Sequence, residues 1–309
     1  MRSGGADRRL LVVGGFGGLV GRAVLPEFLP DYELVSVHRH PNPSEVAAGV
    51  HWFPADIAEV RDWGRLLEGV DVVLNLAWYR WGTRFRFRRL HGGLRRLLDA
   101  SRQAGVGRFL HLSVPPAPAG MERWLPYLAY KRQFDRELGE SGLSYRILRP
   151  TMMFGPKDKL LTVMLRLMDR YPRFPMFGDG SYHVSPVAVT DVARLLRMEA
   201  GSSATGTVDV GGPERFRYRD LTDLMFQLLG KPARYWRLGP RGAVALAKLL
   251  QDFGSSLLYA YEVEWLMSDL LGLPAYRGLG RPLERVEPFL RSEVARRRGG
   301  DGRPGLPLS

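Results

Sequence analysis

The chain has 309 residues, of which 45% are hydrophobic and 25% charged, values that exclude a mainly disordered protein. It contains no cysteine, which excludes disulfides, thiolate metal sites and a cysteine nucleophile and fits a reducing compartment such as the cytoplasm. Its 45 basic and 32 acidic residues give a formal net charge of +13. This charge suits nucleic acid, an anionic membrane or an acidic partner, and a functionally neutral bias toward arginine explains it equally well.

Short apolar runs alternate with amphipathic stretches in the first half of the chain. Strands are predicted at 10–13, 33–37, 50–53, 70–77, 108–113 and 145–148, and helices up to about 29 and at 59–67, 90–104 and 127–140. This alternation predicts an α/β fold, a doubly wound parallel sheet with helices on both faces. No uninterrupted run of 18 apolar residues exists, so we predict no transmembrane helix. The N-terminus is interpreted as a strand and helix, not as a secretory signal.

The pattern changes after residue 150. Helices are predicted at 157–169, 190–199 and 218–229, a strand at 207–210, and a loop rich in proline and glycine at 172–180. From residue 232 onward helices are expected to dominate. The apolar-rich segment 243–267 is interpreted as a helix pair packed in the core, with a membrane-surface segment as the alternative. We therefore predict a large α/β domain at 8–230 with substrate-side insertions at about 156–186, a smaller helical part at 231–295, and a disordered tail at 296–309.

A glycine-rich turn lies between the first predicted strand and the first predicted helix. Gly15, Gly18 and Gly21 have the GxxGxxG spacing of dinucleotide-binding turns, where glycine permits a tight turn and close approach of a pyrophosphate. The following helix N-terminus offers free N–H groups to the phosphates. The predicted phosphate-binding residues are Gly15, Phe16, Gly17, Gly18, Leu19 and Gly21.

The end of the second predicted strand bears on the choice of cofactor. NAD-binding proteins place an acidic residue there for the ribose 2′-hydroxyl, but this strand ends in His38-Arg39-His40. The guanidinium of Arg39 suits a 2′-phosphate, so we predict a preference for NADP(H), with NAD(H) remaining an alternative. The six histidines are scattered along the sequence, and we predict no metal site.

Several further motifs follow in a fixed order. They are Asp56-Ile57, Asn75-Leu76-Ala77, Leu112-Ser113, Tyr127 with Lys131, and Arg149-Pro150-Thr151. With the glycine turn, they resemble the extended and atypical short-chain dehydrogenases/reductases over about residues 9–230. The resemblance implies an NAD(P)-binding Rossmann domain, with the cofactor held by Asp56, Ile57, Leu76, Ala77, Lys131, Pro150 and Thr151. It also implies that Ser113, Tyr127 and Lys131 are the catalytic residues.

The spacing of Tyr127 and Lys131 also predicts, on physical grounds, that the two side chains act together. Residues four apart share one face of a helix, so Lys131 can hold the ribose hydroxyls and lower the pKa of the Tyr127 phenol. Tyr127 can then exchange a proton with a carbonyl oxygen that Ser113 holds. Tyr130 points to another helix face. The alternative is that Tyr127 is a surface aromatic residue and Lys131 a solvated charge, neither with a catalytic role.

A narrower resemblance concerns Phe154-Gly155-Pro156 and Thr190-Asp191, which are similar to the branch that includes the NADPH-binding accessory subunit of respiratory complex I. It leaves open two functions. One is an oxidoreductase or epimerase-like enzyme that acts on a small molecule or on a quinone or lipid-like substrate. The other is a non-catalytic accessory subunit of a respiratory complex, in peripheral contact with the inner face of the membrane. A nucleic-acid-binding protein is the weakest alternative, because the sequence contains no DNA- or RNA-binding motif.

The aromatic residues Trp78, Tyr79 and Trp81 are interpreted as a substrate wall or as core. The segment 80–96 is interpreted as a solvated face or as a contact for an acidic partner or lipid headgroups.

Overall fold

The computed structural model describes residues 8–40, 43–80, 82–239, 241–245, 247 and 260–299. Trp81, residues 248–259 and the tail from 300 lie outside the described residues. The chain divides into two compact units, the first comprising Met1–Val114, Ala119–Pro150 and Val189–Asp209, the second Pro115–Pro118, Thr151–Ala188 and Val210–Ser309. All predicted site residues except Thr151 belong to the first unit. The predicted boundary at residue 230 stays a prediction.

The first unit is built on a seven-stranded sheet, which confirms the predicted α/β fold. Its strands are β1 (Arg8–Val13), β2 (Tyr32–His38), β3 (His51–Pro54), β4 (Val72–Asn75), β5 (Arg108–Leu112), β6 (Tyr145–Pro150) and β11 (Gly206–Val210). Their order across the sheet is β11-β6-β5-β4-β1-β2-β3. The pairs β3–β2, β2–β1, β1–β4, β4–β5 and β5–β6 are parallel.

The strands are apolar because the sheet is covered on both faces. Leu10, Leu11, Val12 and Val13 of β1 have no exposed surface, and β4 is buried at every position. A parallel strand between two helix layers needs a continuous apolar run, and each fully buried leucine or valine contributes roughly 1.5–3 kcal/mol. These runs are the pattern from which the strands were predicted.

In the described part of the first unit, four longer helices flank this sheet and three short ones lie in its connections. They are α1 (Leu19–Phe28), α2 (Pro43–Ala47), α3 (Gly64–Leu67), α4 (Arg84–Gln103), α5 (Met121–Trp124), α6 (Pro126–Gly139) and α8 (Val189–Ala200). Helix α4 begins six residues earlier than predicted, because alternating arginine and phenylalanine hide the helical period. Its start is fixed by Thr83, whose hydroxyl accepts a hydrogen bond from the Arg86 N–H at 3.3 Å.

The strand order reverses between β1 and β4, which are neighbours in the sheet although β2 and β3 intervene in the chain. Connections from these two strands leave in opposite directions, so a crevice opens beyond their carboxyl ends. In open α/β sheets this crevice is where ligands bind. The glycine turn follows β1, and Leu76 and Ala77 follow β4.

The second unit consists of short strand pairs and helices. Its strands are β7 (Met153–Phe154), β8 (Phe174–Phe177), β9 (His183–Val184), β10 (Val187–Ala188), β12 (Phe216–Arg217) and β13 (Tyr235–Leu238), and its helices include α7 (Leu160–Arg170), α9 (Tyr218–Leu229), α10 (Ala260–Leu266) and α11 (Val286–Arg298). Strands β8 and β13 pair where a loop and a helix were expected. Helix α11 continues to Arg298, so the first residues of the predicted tail are helical. Among the described residues, no helix is long and apolar enough to cross a bilayer.

Candidate active site

The glycine turn after β1 depends on glycine for close backbone packing. Gly14 and Gly15 have φ angles of 102° and 72°, which side chains rarely permit. A Cβ atom on Gly14 would lie 2.8 Å from the Ala77 nitrogen, and one on Gly15 would lie 2.4 Å from the His38 ring. The turn is therefore wedged between the ends of β2 and β4.

Gly21 and Gly18 differ in the space that a side chain would have at each position. A Cβ atom on Gly21 would lie 2.5 Å from the Gly15 carbonyl oxygen, so α1 packs directly on the turn. A Cβ atom on Gly18 would meet nothing within 4 Å, and Gly18 adopts an ordinary extended conformation as the N-cap of α1. The protein itself therefore does not require glycine at position 18.

This open space fits the phosphates of a dinucleotide. Gly17 and Gly18 are exposed and Leu19 is partly exposed, directly at the N-terminus of α1. The first turn of α1 has no acidic residue of its own to offset the positive end of the helix dipole. The chain thus offers backbone N–H groups and free volume at the place where a pyrophosphate is expected.

The end of β2 holds a buried carboxylate that the sequence did not reveal. Glu45 of α2 has no exposed surface, and its Oε1 accepts a hydrogen bond from the Phe16 N–H at 3.0 Å and lies 2.8 Å from His38 Nε2. The Phe16 N–H is therefore already engaged, although Phe16 was predicted to bind phosphate. Arg39 follows β2 as an exposed residue. Glu45 was missed because α2 has only five residues and no helical pattern.

The two loops predicted to contact the cofactor are held by local hydrogen bonds. The Asp56 carboxylate accepts from the Ala58 N–H at 2.9 Å, and Ile57 is buried against α4, where a Cβ atom on Gly93 would lie 2.2 Å from the Ile57 carbonyl oxygen. After β4, the Asn75 side-chain oxygen accepts from the Ala77 N–H at 3.0 Å. Both loops therefore have defined positions in the first unit.

Helix α6 places the predicted tyrosine and lysine one turn apart. The helix begins with a proline in its first turn, and Tyr127 is partly exposed just inside it. The Tyr127 ring lies edge-on to the ring of Phe87, with centroids 6.2 Å apart. Tyr130 instead packs on His91, with ring centroids 5.5 Å apart. The structure thus places the two tyrosines in different surroundings, as their positions on the helix predict.

Lys131 is 4% exposed, unusual for a lysine. Burial lowers the pKa of its ammonium group to about 7, although the Asp135 carboxylate opposes this change. Its Nζ lies 4.5 Å from the centroid of the Trp78 ring, a favourable cation–π contact. Trp78 therefore packs against the candidate catalytic lysine. A lysine that titrates near neutral pH can hold a ribose hydroxyl and also move a proton.

Ser113 is connected to a buried polar network. Its hydroxyl donates a hydrogen bond to Asp135 Oδ2 at 2.7 Å, and His111 Nε2 lies 3.4 Å from Asp135 Oδ1. On the other side of the ring, His111 Nδ1 lies 3.1 Å from the Asn75 side-chain nitrogen. The ends of β4 and β5 are therefore joined to α6 by polar groups below the candidate site.

The charges of this network follow from burial and neighbours. Burial alone would raise the pKa of Asp135, but the His111 ring, the Ser113 hydroxyl and the Lys131 ammonium lower it to about 2. Burial lowers the pKa of His111, with a further contribution from the Lys131 charge. Asp135 lies four residues after Lys131, a spacing that would have placed it on the same helix face.

The last predicted cofactor residues lie at the end of β6. Pro150 is buried as the final residue of β6. Thr151 belongs to the second unit, where its hydroxyl donates to the Ser185 carbonyl oxygen at 2.5 Å and its N–H donates to the Val210 carbonyl oxygen at 3.1 Å. The Thr151 side chain therefore serves the packing of the second unit in this structure.

Comparison with known proteins agrees with this geometry. A family model described as NAD(P)H-binding matches residues 15–195. Subunit 9 of the NADH dehydrogenase [ubiquinone] 1 alpha subcomplex from Arabidopsis thaliana is 26% identical over 174 residues, 54% of this chain and 43% of that protein. The match thus spans less than half of the plant subunit. The 2-alkyl-3-oxoalkanoate reductase of Stenotrophomonas maltophilia is 24% identical over 253 residues, 72% of this chain and 76% of that protein.

The fold is shared with solved structures. The crystal structure of an NADPH-dependent quinone oxidoreductase from Escherichia coli, complexed with NADPH, superposes with a TM-score of 0.71 at 17% identity, covering 93% of this chain and 99% of that one. The family model covers more than half of the chain, and it includes the glycine turn from Gly15 onward, the buried lysine and strands β2 to β6 of the sheet. The chain belongs to the NAD(P)H-binding family, with the Rossmann-like fold of the short-chain dehydrogenases/reductases.

Proposed function

We propose that this protein is an NADP(H)-dependent oxidoreductase or epimerase-like enzyme that acts on a carbonyl or hydroxyl group. The observation that carries the proposal is Lys131, which is buried one helical turn from Tyr127 and titrates near pH 7. Burying an ammonium group lowers stability, so a structural role alone explains it poorly. A role toward a cofactor ribose and a phenol explains both its burial and its position.

In the proposed reaction each residue has one task. The bound nicotinamide supplies or accepts the hydride. For reduction, the Tyr127 hydroxyl donates its proton to the carbonyl oxygen as the alcohol forms, and for oxidation it takes that proton back. Lys131 holds the ribose hydroxyls and stabilises the phenolate of Tyr127 by its charge. Ser113 holds the substrate oxygen, which requires its hydroxyl to turn away from Asp135.

We propose NADP(H) as the preferred cofactor. The exposed guanidinium of Arg39 follows β2, where a 2′-phosphate is expected. The Glu45 carboxylate near this strand end is buried and engaged with the Phe16 N–H and His38. Asp56, Ile57, Leu76, Ala77, Pro150 and Thr151 complete the proposed cofactor contacts. The absence of cysteine from the sequence is consistent with action in the cytoplasm.

Single-turnover oxidation of bound NADPH, followed by its absorbance, tests the proposal. The substrates are a panel of quinones, aldehydes and keto sugars. Tyr127→Phe should lower the rate by about 10²–10⁴-fold and leave NADPH affinity nearly unchanged, because the phenol acts in proton transfer. Lys131→Ala should lower both the rate of NADPH oxidation and the affinity for NADPH. Tyr130→Phe is the matched control, since it removes the same hydroxyl from a tyrosine that packs on His91 instead of Phe87, and it should change neither the rate nor the affinity.

A second candidate function is a non-catalytic NADP(H)-binding accessory subunit of a respiratory membrane complex. The similarity to the complex I subunit of Arabidopsis thaliana favours it. In that case wild-type protein would keep NADPH bound and intact and oxidise it with no substrate in the panel. That result would overturn the enzyme proposal and leave the accessory role.

A further inference from the structure

The first two turns of α4 form a basic surface that the nucleotide site does not use. Its exposed members, which we call the arginine surface, are Arg84, Phe85, Arg86, Arg88 and Arg89. Residues 72–98 include seven arginines and no aspartate or glutamate. The Phe85 side chain is 58% exposed, whereas Phe87, two residues later, is 1% exposed and belongs to the core.

The charges of the arginine surface are only partly neutralised. Arg89 forms an ion pair with Glu59 at 2.7 Å, and the Arg86 guanidinium stacks 3.8 Å from the centroid of the Tyr79 ring. Within the part of the chain that the structure describes, Arg84 and Arg88 have no hydrogen bond or ion pair. Arg88 instead lies over the exposed Phe85 ring. The surface therefore combines excess positive charge with an exposed aromatic residue.

This charge does not serve the helix on which it lies. The N-terminus of a helix is the positive end of its dipole, where cations are unfavourable and acidic residues stabilise. Helix α4 has Arg84 and Arg86 in its first turn and no acidic residue there. The cap by Thr83 holds the helix start in spite of this repulsion. An external anion that meets these arginines would remove the unfavourable interaction.

The arginine surface lies beside the candidate catalytic tyrosine. Phe87, which is buried beneath it, packs edge-on against Tyr127 at 6.2 Å and also against Tyr79 at 6.2 Å. The arginine surface and the phenol are thus separated by one layer of aromatic side chains. Whatever binds to the first turns of α4 therefore lies about one layer of aromatic side chains away from Tyr127.

We propose that the arginine surface docks on an anionic lipid bilayer, with Phe85 inserted at the level of the headgroups. Arginine stems can lie along apolar surface while their guanidinium groups reach lipid phosphates, and such charges need no defined partner geometry. Single-stranded nucleic acids are instead held in grooves where successive bases stack on several aromatic residues. Among the described residues of the arginine surface, Phe85 is the exposed aromatic side chain, and it lies at a helix end, which fits an interfacial anchor.

Docking in this way specifies the substrate class. The bilayer would lie against the entrance of the Tyr127 site, so the substrate is an amphiphile taken from the membrane surface. The inferred substrate class rests on the proposed function, whereas docking on the bilayer does not. Vesicle binding and NADPH oxidation are separate measurements, so the failure of one is distinguishable from the failure of the other.

The test is co-sedimentation of the full chain with phosphatidylcholine vesicles that contain or lack phosphatidylglycerol, at low and high salt. We expect binding only to the anionic vesicles and its loss at high salt. Arg84→Gln combined with Arg88→Gln should weaken binding by about 30-fold, since each arginine near the surface contributes a factor of about five. Phe85→Ser should weaken it by about tenfold with the charge unchanged.

The matched control is Arg65→Gln combined with Arg102→Gln, which removes two exposed charges elsewhere in the same unit. It should keep wild-type vesicle binding. NADPH affinity of all variants should match wild type, because none of these residues lies in the candidate site. Their thermal unfolding should show no loss of stability, and the Arg84→Gln change should raise the Tm slightly by removing a cation from the positive end of the helix dipole. Equal losses in both double variants, no binding to anionic vesicles, or displacement of the vesicles by equimolar single-stranded RNA would each overturn the proposal.

Discussion

Replacing Lys131 by methionine is expected to stabilise the nucleotide-free protein, most strongly at acidic pH. Methionine keeps an apolar stem of similar length and removes the ammonium group, which is 4% exposed in the folded chain. The pKa of Lys131 falls from 10.5 to about 7 because burial disfavours its charge. The two values differ by roughly 3.5, which sets an upper limit of about 5 kcal/mol on the cost of folding with this charge buried.

The pH dependence follows from the sign of the difference. Below pH 7 the lysine is protonated in the folded and the unfolded chain, so the full cost is present. Between pH 7 and 10.5 the unfolded chain still binds the proton that the folded chain has released, and the cost shrinks to about 2 kcal/mol at pH 9. The advantage of Lys131→Met over wild type should shrink in parallel.

Thermal unfolding at pH 6 and pH 9 measures this difference. With about 2 °C per kcal/mol for a chain of this size, Lys131→Met should raise the Tm by up to about 10 °C at pH 6 and by less than half of that at pH 9. Lys159→Met, at an exposed position, is the control and should show no such pH dependence. An equal gain at both pH values, or no gain at pH 6, would refute the conclusion that Lys131 is a buried charge.

Three further substitutions test the site. Gly18→Val should lower NADPH affinity by on the order of 100-fold with an unchanged Tm, because the valine side chain would enter the open space before α1. Gly239→Val, which also places a side chain in open space, is the control and should leave NADPH affinity unchanged in the same titration. Arg39→Ala should cost about 1.5–3 kcal/mol of NADPH binding and none of NADH binding, and equal wild-type affinities for the two cofactors by calorimetry would contradict the proposed preference. Asp135→Asn removes a charge that raises the pKa of Lys131, so the loss of NADPH affinity with rising pH should begin at lower pH than in wild type. Ser113→Ala, which leaves that carboxylate in place, should not move the pH midpoint.

The fold was accessible from the sequence because its causes are local. Buried parallel strands such as β1 and β4 must be continuous apolar runs, and the turn between β1 and α1 needs glycine wherever the backbone has no room for a side chain. The spacing of Tyr127 and Lys131 likewise fixes one helix face. Helix α4 shows the limit of such patterns, since its first two turns do not follow the helical period.

What only the tertiary structure decided is the chemical state of these residues. Glu45 meets the Phe16 N–H across 29 positions of sequence, and Ser113 meets Asp135 across 22. No local pattern encodes such contacts, because they arise when separate strand ends and helices converge at one edge of the sheet. The pKa of Lys131 has the same origin: it depends on how much water and how many charges surround the ammonium group, and packing of distant segments sets both.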